Sequence, residues 1–242
     1  MSPDQFAVTE VTERDVQAEY ERLGYQNGWV FAMTPVANLP TAEVVIVGLN
    51  PGGDGDQNQG TWEVAGGNAY LDERWYADGR NELFPIQVEV MELLHLLGVE
   101  DRQVFAAQFI PFRSKEIKSL PNRGEAVTFA RRLWSWALSQ SPAKLIITMG
   151  HLAGWHVAQL IGASHVSEHP TGWGKMVAVR YVATDGKVVV SIPHPSRYGL
   201  LNPGRAPEKR RKAKLSILTA AQPVTADIRA IVDDEAGEPD MN

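Results

Sequence analysis

Two short segments of the chain combine polar side chains with special backbone, and each one follows an apolar run. The first is "GLNPGG", residues 48–53, in which Asn50 lies among glycines and a proline. The second is "PHPSRY", residues 193–198, in which His194 lies between two prolines. Glycine exposes the backbone and proline fixes it, so either turn could hold an amide or an imidazole against a flat ligand. Taken alone, each is equally compatible with an ordinary turn or a solvated histidine.

Other familiar catalytic sites lack their key residues. The chain has no cysteine, which excludes disulfides, thiolate catalysis, and zinc or iron–sulfur clusters held by cysteine. It has no G-x-S-x-G nucleophile turn, and "GLNPGG" continues into neither a phosphate loop nor a dinucleotide fingerprint. The stretch "HVSEH" at 165–169 matches the H-x-x-E-H zinc pattern, but that pattern needs a helix, which the nearby Gly162 and Pro170 disfavour. We therefore predict no metal and no cofactor. His151 and His156, five residues apart, are interpreted as packing or helix-start residues.

Strand and helix patterns alternate along the chain, and the polar segments follow the strands. The predicted strands are 42–50, 103–112, 143–150 and two more on either side of Asp185-Gly186. The predicted helices are 83–98, 124–140, 151–162 and 206–221. This alternation predicts an α/β fold of three layers, α/β/α, with a central, mostly parallel, four-stranded sheet. The segments "GLNPGG", "FIPFRS", "MGH" and "PHPSRYG" would then meet at the carboxyl edge, where such sheets bind ligands.

The net charge of −6 is unevenly distributed. Residues 223–242 hold six acidic residues and one arginine, a net of −5, which leaves about −1 on residues 1–222. We interpret 1–222 as one domain and 223–242 as an acidic, disordered tail. Basic groups at 112–118, 130–132 and 208–214 fit weak, salt-sensitive binding to a polyanion, and equally fit a solvated surface. No secretory signal or membrane span is visible, so we expect a cytoplasmic protein.

The motifs together resemble the uracil-DNA glycosylase superfamily, over roughly residues 42–220. The resemblance is based on three segments: the strand ending in "GLNPG", the middle segment "LIITMGHLAGWHVAQLIG" and the late strand ending in "HPS". The "GLNPG" form is similar to the mismatch-specific and single-strand-selective branches, and the absence of cysteine excludes the iron–sulfur branches. The resemblance implies a monofunctional DNA glycosylase. Such an enzyme hydrolyses the N-glycosidic bond of a damaged or modified pyrimidine flipped out of DNA, and leaves an abasic site.

The resemblance also implies roles for individual residues. Asn50 would orient a water, and His194 would donate a hydrogen bond to the departing base. The base-binding set is Gly48, Leu49, Pro51, Gly52, Gly53, Tyr70 and Gln108, with Trp62 as an alternative stacking residue. The DNA-contacting set is Arg113, Ser114, Lys115, Pro195, Ser196, Arg197 and Tyr198. The loop from Arg197 to Leu200 would fill the space that the base leaves, and Asp54 or Asp56 could assist the water.

Several functions stay open at this stage. Gly52 and Gly53 stand where the most discriminating uracil enzymes carry a tyrosine that excludes C5 substituents, so we expect uracil or 5-substituted pyrimidines as substrates. The widest version is bulky modified cytosine in phage DNA, which would make the protein an antiviral enzyme. A catalytically inactive nucleic-acid-binding protein and a metallohydrolase built on "HVSEH" are the alternatives. We expect DNA as partner, a monomer and no membrane association.

Overall fold

Strands and helices alternate in the computed structural model, which describes residues 8–53, 60–64, 66–79, 81–204 and 206–222. Within these residues the helices are α1 (Glu13–Arg22), α2 (Ala69–Asp72), α3 (Pro85–Leu97), α4 (Arg123–Gln140), α5 (His151–Leu160), α6 (Pro195–Tyr198) and α7 (Pro207–Ala221). The strands are β1 (Trp29–Val30), β2 (Val44–Gly48), β3 (Gly60–Thr61), β4 (Val104–Gln108), β5 (Leu145–Met149), β6 (Ser164–Pro170), β7 (Val177–Val182) and β8 (Val188–Ile192). The predicted acidic tail, 223–242, and both Asp54 and Asp56 lie outside the described residues.

The main sheet has six strands in the order β4-β2-β5-β8-β7-β6. The first four are parallel to one another, while β7 is antiparallel to β8, and β6 is antiparallel to β7. The α/β class and the mostly parallel sheet are confirmed, but the prediction of four strands is wrong. The hairpin at Asp185-Gly186 adds β7, and β6 adds an edge strand whose residues are mostly exposed. An exposed edge strand needs no apolar residues, so the hydrophobic pattern does not reveal it.

Two apolar layers hold helices against the faces of this sheet. Every residue of β2, β4, β5 and β8 is buried, as expected of parallel strands covered on both faces. Because side chains alternate along a strand, Val45 and Val47 pack with α4 and α5, while Val44 and Ile46 pack with α3 and α7. The result is the predicted three-layer α/β/α arrangement.

The four parallel strands end at one edge of the sheet, called here the carboxyl edge. Gly48 pairs with Gln108 at the ends of β2 and β4, and Met149 pairs with Ile192 at the ends of β5 and β8. The predicted strand 103–112 ends earlier, at Gln108, which is the last residue that pairs with β2. The Phe109 N–H donates to the Gly48 carbonyl and the Ile110 N–H donates to the Leu49 carbonyl.

The helices begin and end close to the glycines and prolines that predict their boundaries. Gly98 ends α3 in the left-handed conformation, with φ of 64°, and Pro207 begins α7. No helix in the described part of the chain has the length and apolar character needed to cross a membrane.

A glycine on α5 sets how closely this helix approaches the sheet. A Cβ added at Gly154 would lie 2.4 Å from the Ser191 Oγ and 2.7 Å from the Thr148 Oγ1. We expect Gly154→Ala to lower the free energy of unfolding by about 1–3 kcal/mol, the usual effect of overpacking. The control is Gly124→Ala on α4, where an added Cβ meets nothing within 4 Å. It should raise stability by up to about 1 kcal/mol. Chemical denaturation measures both, and equal effects would contradict the close approach.

Candidate active site

The Asn50 side chain, just beyond β2, is held by its amide nitrogen. Nδ2 lies 3.0 Å from the Pro51 carbonyl oxygen, 3.1 Å from the Ser114 carbonyl oxygen and 3.0 Å from the Ser114 Oγ. Ser114 is buried, and its N–H donates to the Pro51 carbonyl at 3.1 Å. Because the nitrogen end is anchored, the orientation of the amide is fixed. The described hydrogen bonds of Asn50 all involve Nδ2, and the other end of the amide, Oδ1, is an acceptor.

The His194 ring, just beyond β8, is held by one of its two nitrogens. Nδ1 lies 2.9 Å from the Ser196 Oγ. Burial, and to a lesser extent the charge of Arg197, lower the pKa of His194 below its ordinary value. The ring is therefore neutral at neutral pH. A neutral ring that accepts from Ser196 at Nδ1 carries its proton on Nε2, which leaves Nε2 as a donor.

The Gly150 turn after β5 lies between the ends of β2 and β8. Its φ is +111°, its N–H donates to the Ile192 carbonyl at 2.8 Å, and an added Cβ would lie 3.8 Å from the His194 Cδ2. The glycine lets the chain turn into α5 without pushing against the imidazole. The order β2-β5-β8 thus places Asn50 and His194 just beyond the ends of the two strands that flank β5.

A buried tyrosine and a glutamine meet at the end of β4. The Tyr70 hydroxyl is hydrogen-bonded to the Gln108 side chain, and burial raises the pKa of Tyr70, so the hydroxyl stays protonated. A Cβ added at Gly48 would lie 2.3 Å from the Gln108 Oε1, so only glycine leaves room for that amide. Trp62, the alternative stacking residue, instead packs in the apolar layer between the sheet and α4, with its ring centroid 4.8 Å from that of Phe31. The structure therefore brings Tyr70, rather than Trp62, together with Gln108.

The loop 48–53 is braced by Arg113. The guanidinium donates to the Gly52 carbonyl, and the Arg113 N–H donates to the Gly28 carbonyl at 3.1 Å. Burial lowers the pKa of Arg113, and its Nε is buried without a hydrogen-bond partner among the described residues. Arg113 and Ser114 thus shape the Asn50 loop, while Lys115 is exposed at its rim. Contact of these three residues with DNA stays a prediction.

The loop after His194 presents fewer side chains than the sequence predicts. Ser196 and Arg197 are exposed, and Tyr198 is half-buried against the apolar layer between the sheet and helices α3 and α7. Pro195 is buried, and Leu200 is completely buried in that layer. Of the loop from Arg197 to Leu200, which is expected to fill the space left by a base, the Leu200 side chain is thus already part of the core, and the role of the loop stays a prediction.

A buried carboxylate on α3, Glu89, fixes this loop, and sequence reasoning missed it. Glu89 is 2% exposed, and it accepts hydrogen bonds from the N–H groups of Leu201 at 2.8 Å and Asn202 at 2.9 Å. Burial raises the pKa of Glu89, and these N–H donors act in the opposite direction. A detectable signal existed, since Glu89 stands four residues before the buried Leu93 on the apolar stripe of α3.

The histidines of the "HVSEH" stretch and of α5 contact other protein side chains. The "HVSEH" stretch is β6, which confirms that it is not helical, and the His165 Nε2 lies 3.5 Å from the Glu168 carboxylate. In the described part of the chain, no group of three or more acidic or histidine side chains could hold a metal ion. His151 begins α5, and its Nδ1 lies 3.0 Å from the Ser191 Oγ. His156 stacks on the Phe109 ring at 5.0 Å between centroids, so both histidines match the predicted interpretation.

The site can therefore present a fixed amide acceptor and a neutral imidazole donor at the same edge of a sheet, close to a buried Tyr–Gln pair. Among protein-family models, residues 35–218 match the uracil DNA glycosylase superfamily. The match spans all six strands of the main sheet and both loops that carry Asn50 and His194. A search of the curated proteins finds no significant match to the chain.

Removing the Glu89 carboxylate tests how the His194 loop is held. Glu89→Ala leaves two N–H groups without their acceptor, at a cost of about 1–3 kcal/mol for each group that stays buried. We expect a lower free energy of unfolding and faster amide exchange at Leu201 and Asn202. The control, Glu100→Gln, removes the same charge from the segment that follows α3, where the exposed carboxylate lies 2.8 Å from the Arg102 Nε. It should change stability by less than about 1 kcal/mol. Unchanged exchange in Glu89→Ala would show that the loop is held by other contacts.

Proposed function

Because the chain belongs to the uracil DNA glycosylase superfamily, we propose that it is a monofunctional DNA glycosylase. Members of this superfamily generally hydrolyse N-glycosidic bonds in DNA. The proposed substrate is a damaged or modified pyrimidine flipped out of DNA, and the product is an abasic site. The observation that supports this proposal most directly is the pair of anchored side chains, Asn50 held through Ser114 and His194 held through Ser196.

His194 would act on the departing base. When the N-glycosidic bond breaks, both electrons leave with the base, so negative charge develops on the base and positive charge on the sugar. The Nε2–H of the neutral ring would donate to a carbonyl oxygen of the base and stabilise that negative charge. The lowered pKa supports this role, because the neutral ring needs no proton from solution before it can donate.

Asn50 would act on the water. A new bond from the water oxygen to the sugar carbon replaces the broken bond, and one water proton is released. An amide is too weak a base to remove that proton before the sugar becomes cationic, so Asn50 would orient the water through Oδ1 rather than deprotonate it. The anchored Nδ2 supports this role, since the described hydrogen bonds of Asn50 use the nitrogen end of the amide. The DNA phosphates would help to stabilise the cationic sugar.

The substrate range would be set by two features of the base-binding set. Gly52 is exposed, and among the described residues an added Cβ there meets nothing within 4 Å, which supports a pocket open to substituents on C5 of a pyrimidine. Gln108, held by Tyr70 and accommodated by Gly48, would read the polar edge of the base. We therefore propose uracil and 5-substituted pyrimidines as substrates. The largest substrate in this range would be the bulky modified cytosine of phage DNA. Action as a monomer in the cytoplasm stays a prediction.

The first test concerns His194. His194→Ala should reduce the single-turnover rate of base excision by about 10²-fold or more, the scale of a lost transition-state donor, with little change in DNA affinity. In the wild type the rate should be level from about pH 7 to 8, because the pKa of His194 lies below its ordinary value of about 6.5. A rate that falls as the pH rises through 7 would mean that the protonated ring is required. A wild-type protein that excises no base from a panel of altered oligonucleotides would favour the inactive, binding-only alternative.

The second test concerns the size of the base. Matched oligonucleotides carry uracil, 5-hydroxymethyluracil or glucosylated hydroxymethylcytosine, and the wild type should cut at least one of the 5-substituted bases. Gly52→Tyr should lose the substituted bases and retain uracil, because its ring would occupy the open space. Gly52→Ala is the control, since one methyl group should leave the range unchanged. The open-pocket interpretation is wrong if the wild type cuts uracil alone and Gly52→Tyr has the same range.

A further inference from the structure

The first turns of α7 lie beside the carboxyl edge of the sheet, near the candidate site. β6 and β8 are both antiparallel to β7, so Pro170 and Ile192 end at the same edge. The turn that follows Pro170 contacts the start of α7, where the Lys209 Nζ lies 5.0 Å from the centroid of the Trp173 ring. Further along α7, the Ser216 Oγ donates to the Pro170 carbonyl at 2.6 Å. The first two turns of α7 therefore extend past the edge at which His194 lies.

Four cations make up what we call the α7 surface: Lys175, Lys209, Arg211 and Lys212. All four are exposed. A Cβ added at Gly172 would lie 3.2 Å from the Lys212 side chain, so the turn that carries Lys175 packs directly against the helix. Within the described residues, Lys175, Arg211 and Lys212 form no ion pair, and Glu208 is the single acidic residue of α7. Among the residues that the structure describes, the positive charge of this surface is therefore largely uncompensated.

The location of these cations matters because the chain as a whole is negative. With a net charge of −6, the protein repels a polyanion on average. DNA can approach only where positive charge is locally concentrated, and this surface meets that condition at the carboxyl edge. The first two turns of α7, eight residues, rise about 12 Å. At about 3.4 Å per nucleotide along one strand, that length covers three to four phosphates.

We infer that the α7 surface binds the phosphates of the DNA strand that extends from the candidate site. This inference rests on the proposed function, because it takes the strand to be held with its target base at His194. The surface adds a third contact region to the two loops 48–53 and 193–198. Its contribution is electrostatic and independent of sequence, so it acts on affinity and salt dependence rather than on the choice of base.

The test compares two variants that remove equal charge from opposite edges of the sheet. Arg211→Gln/Lys212→Gln alters the α7 surface. The control, Arg102→Gln/Lys144→Gln, alters a residue two positions before β4 and the residue just before β5, which lie at the opposite edge of the sheet. Binding of a uracil-containing duplex oligonucleotide is measured from about 50 to 200 mM salt. The slope of log K against log salt is negative, and each lost phosphate contact makes it less steep by about 0.9. The slope of the α7 variant should therefore be less steep than that of the wild type by about 1.8, while the slope of the control should be almost unchanged.

Excision and binding together separate the possible failures. The α7 variant should also need more DNA for half-maximal excision, while the control behaves as the wild type, and denaturation curves check that both are folded. A wild-type slope in the α7 variant, or an equal drop in both variants, overturns the inference and leaves the proposed function intact. If the wild type excises no base, but its salt slope depends on Arg211 and Lys212, the proposed function is wrong and binding of DNA by the α7 surface is supported. A wild type that binds no oligonucleotide overturns both.

Discussion

The whole site depends on a register constraint, the pairing of Gly48 with Gln108 at the ends of β2 and β4. These strands are buried throughout, and Gln108, the last residue of β4, is their one polar side chain. Gly48 has no side chain, and this lets the Gln108 amide lie over the strand end and bond to Tyr70. A shift of one residue would move each side chain to the other face of the sheet, and it would separate Asn50 from Ser114.

Two serines convert flexible polar groups into oriented ones. An amide or an imidazole can present either a donor or an acceptor, and its neighbours decide which end faces a ligand. Ser114 binds the nitrogen end of Asn50, which leaves its oxygen as the acceptor, and Ser196 binds Nδ1 of His194, which leaves Nε2 as a donor when Ser196 is the donor in that bond. Net stabilisation of about 1 kcal/mol for each such hydrogen bond is enough to favour one orientation several-fold. Orientation that exists before a ligand arrives is what electrostatic catalysis requires.

Sequence patterns predicted the features that depend on local chemistry. The apolar runs of β2, β5 and β8, the Gly98 helix end and the Asp185-Gly186 hairpin each have a local cause, and the positions of Asn50 and His194 follow from strand ends. The features that were missed depend on tertiary packing. β6 is a polar edge strand, and Leu200 is drawn inward because Glu89, more than a hundred residues earlier, binds the following N–H groups. No window of neighbouring residues contains both partners of that interaction.

The buried Glu89 also explains how a short loop can be both rigid and polar at its tip. α6 has only four residues, too few to be stable alone, and Gly199 ends it in the left-handed conformation. Its two ends are held separately, by the strand β8 on one side and by Leu200, Leu201 and the carboxylate on the other. Apolar side chains are committed to the core, so the exposed part of the loop consists of Ser196 and Arg197. The segment thus presents hydrogen-bonding and charged groups toward the carboxyl edge, while its stability comes from residues on either side of that tip.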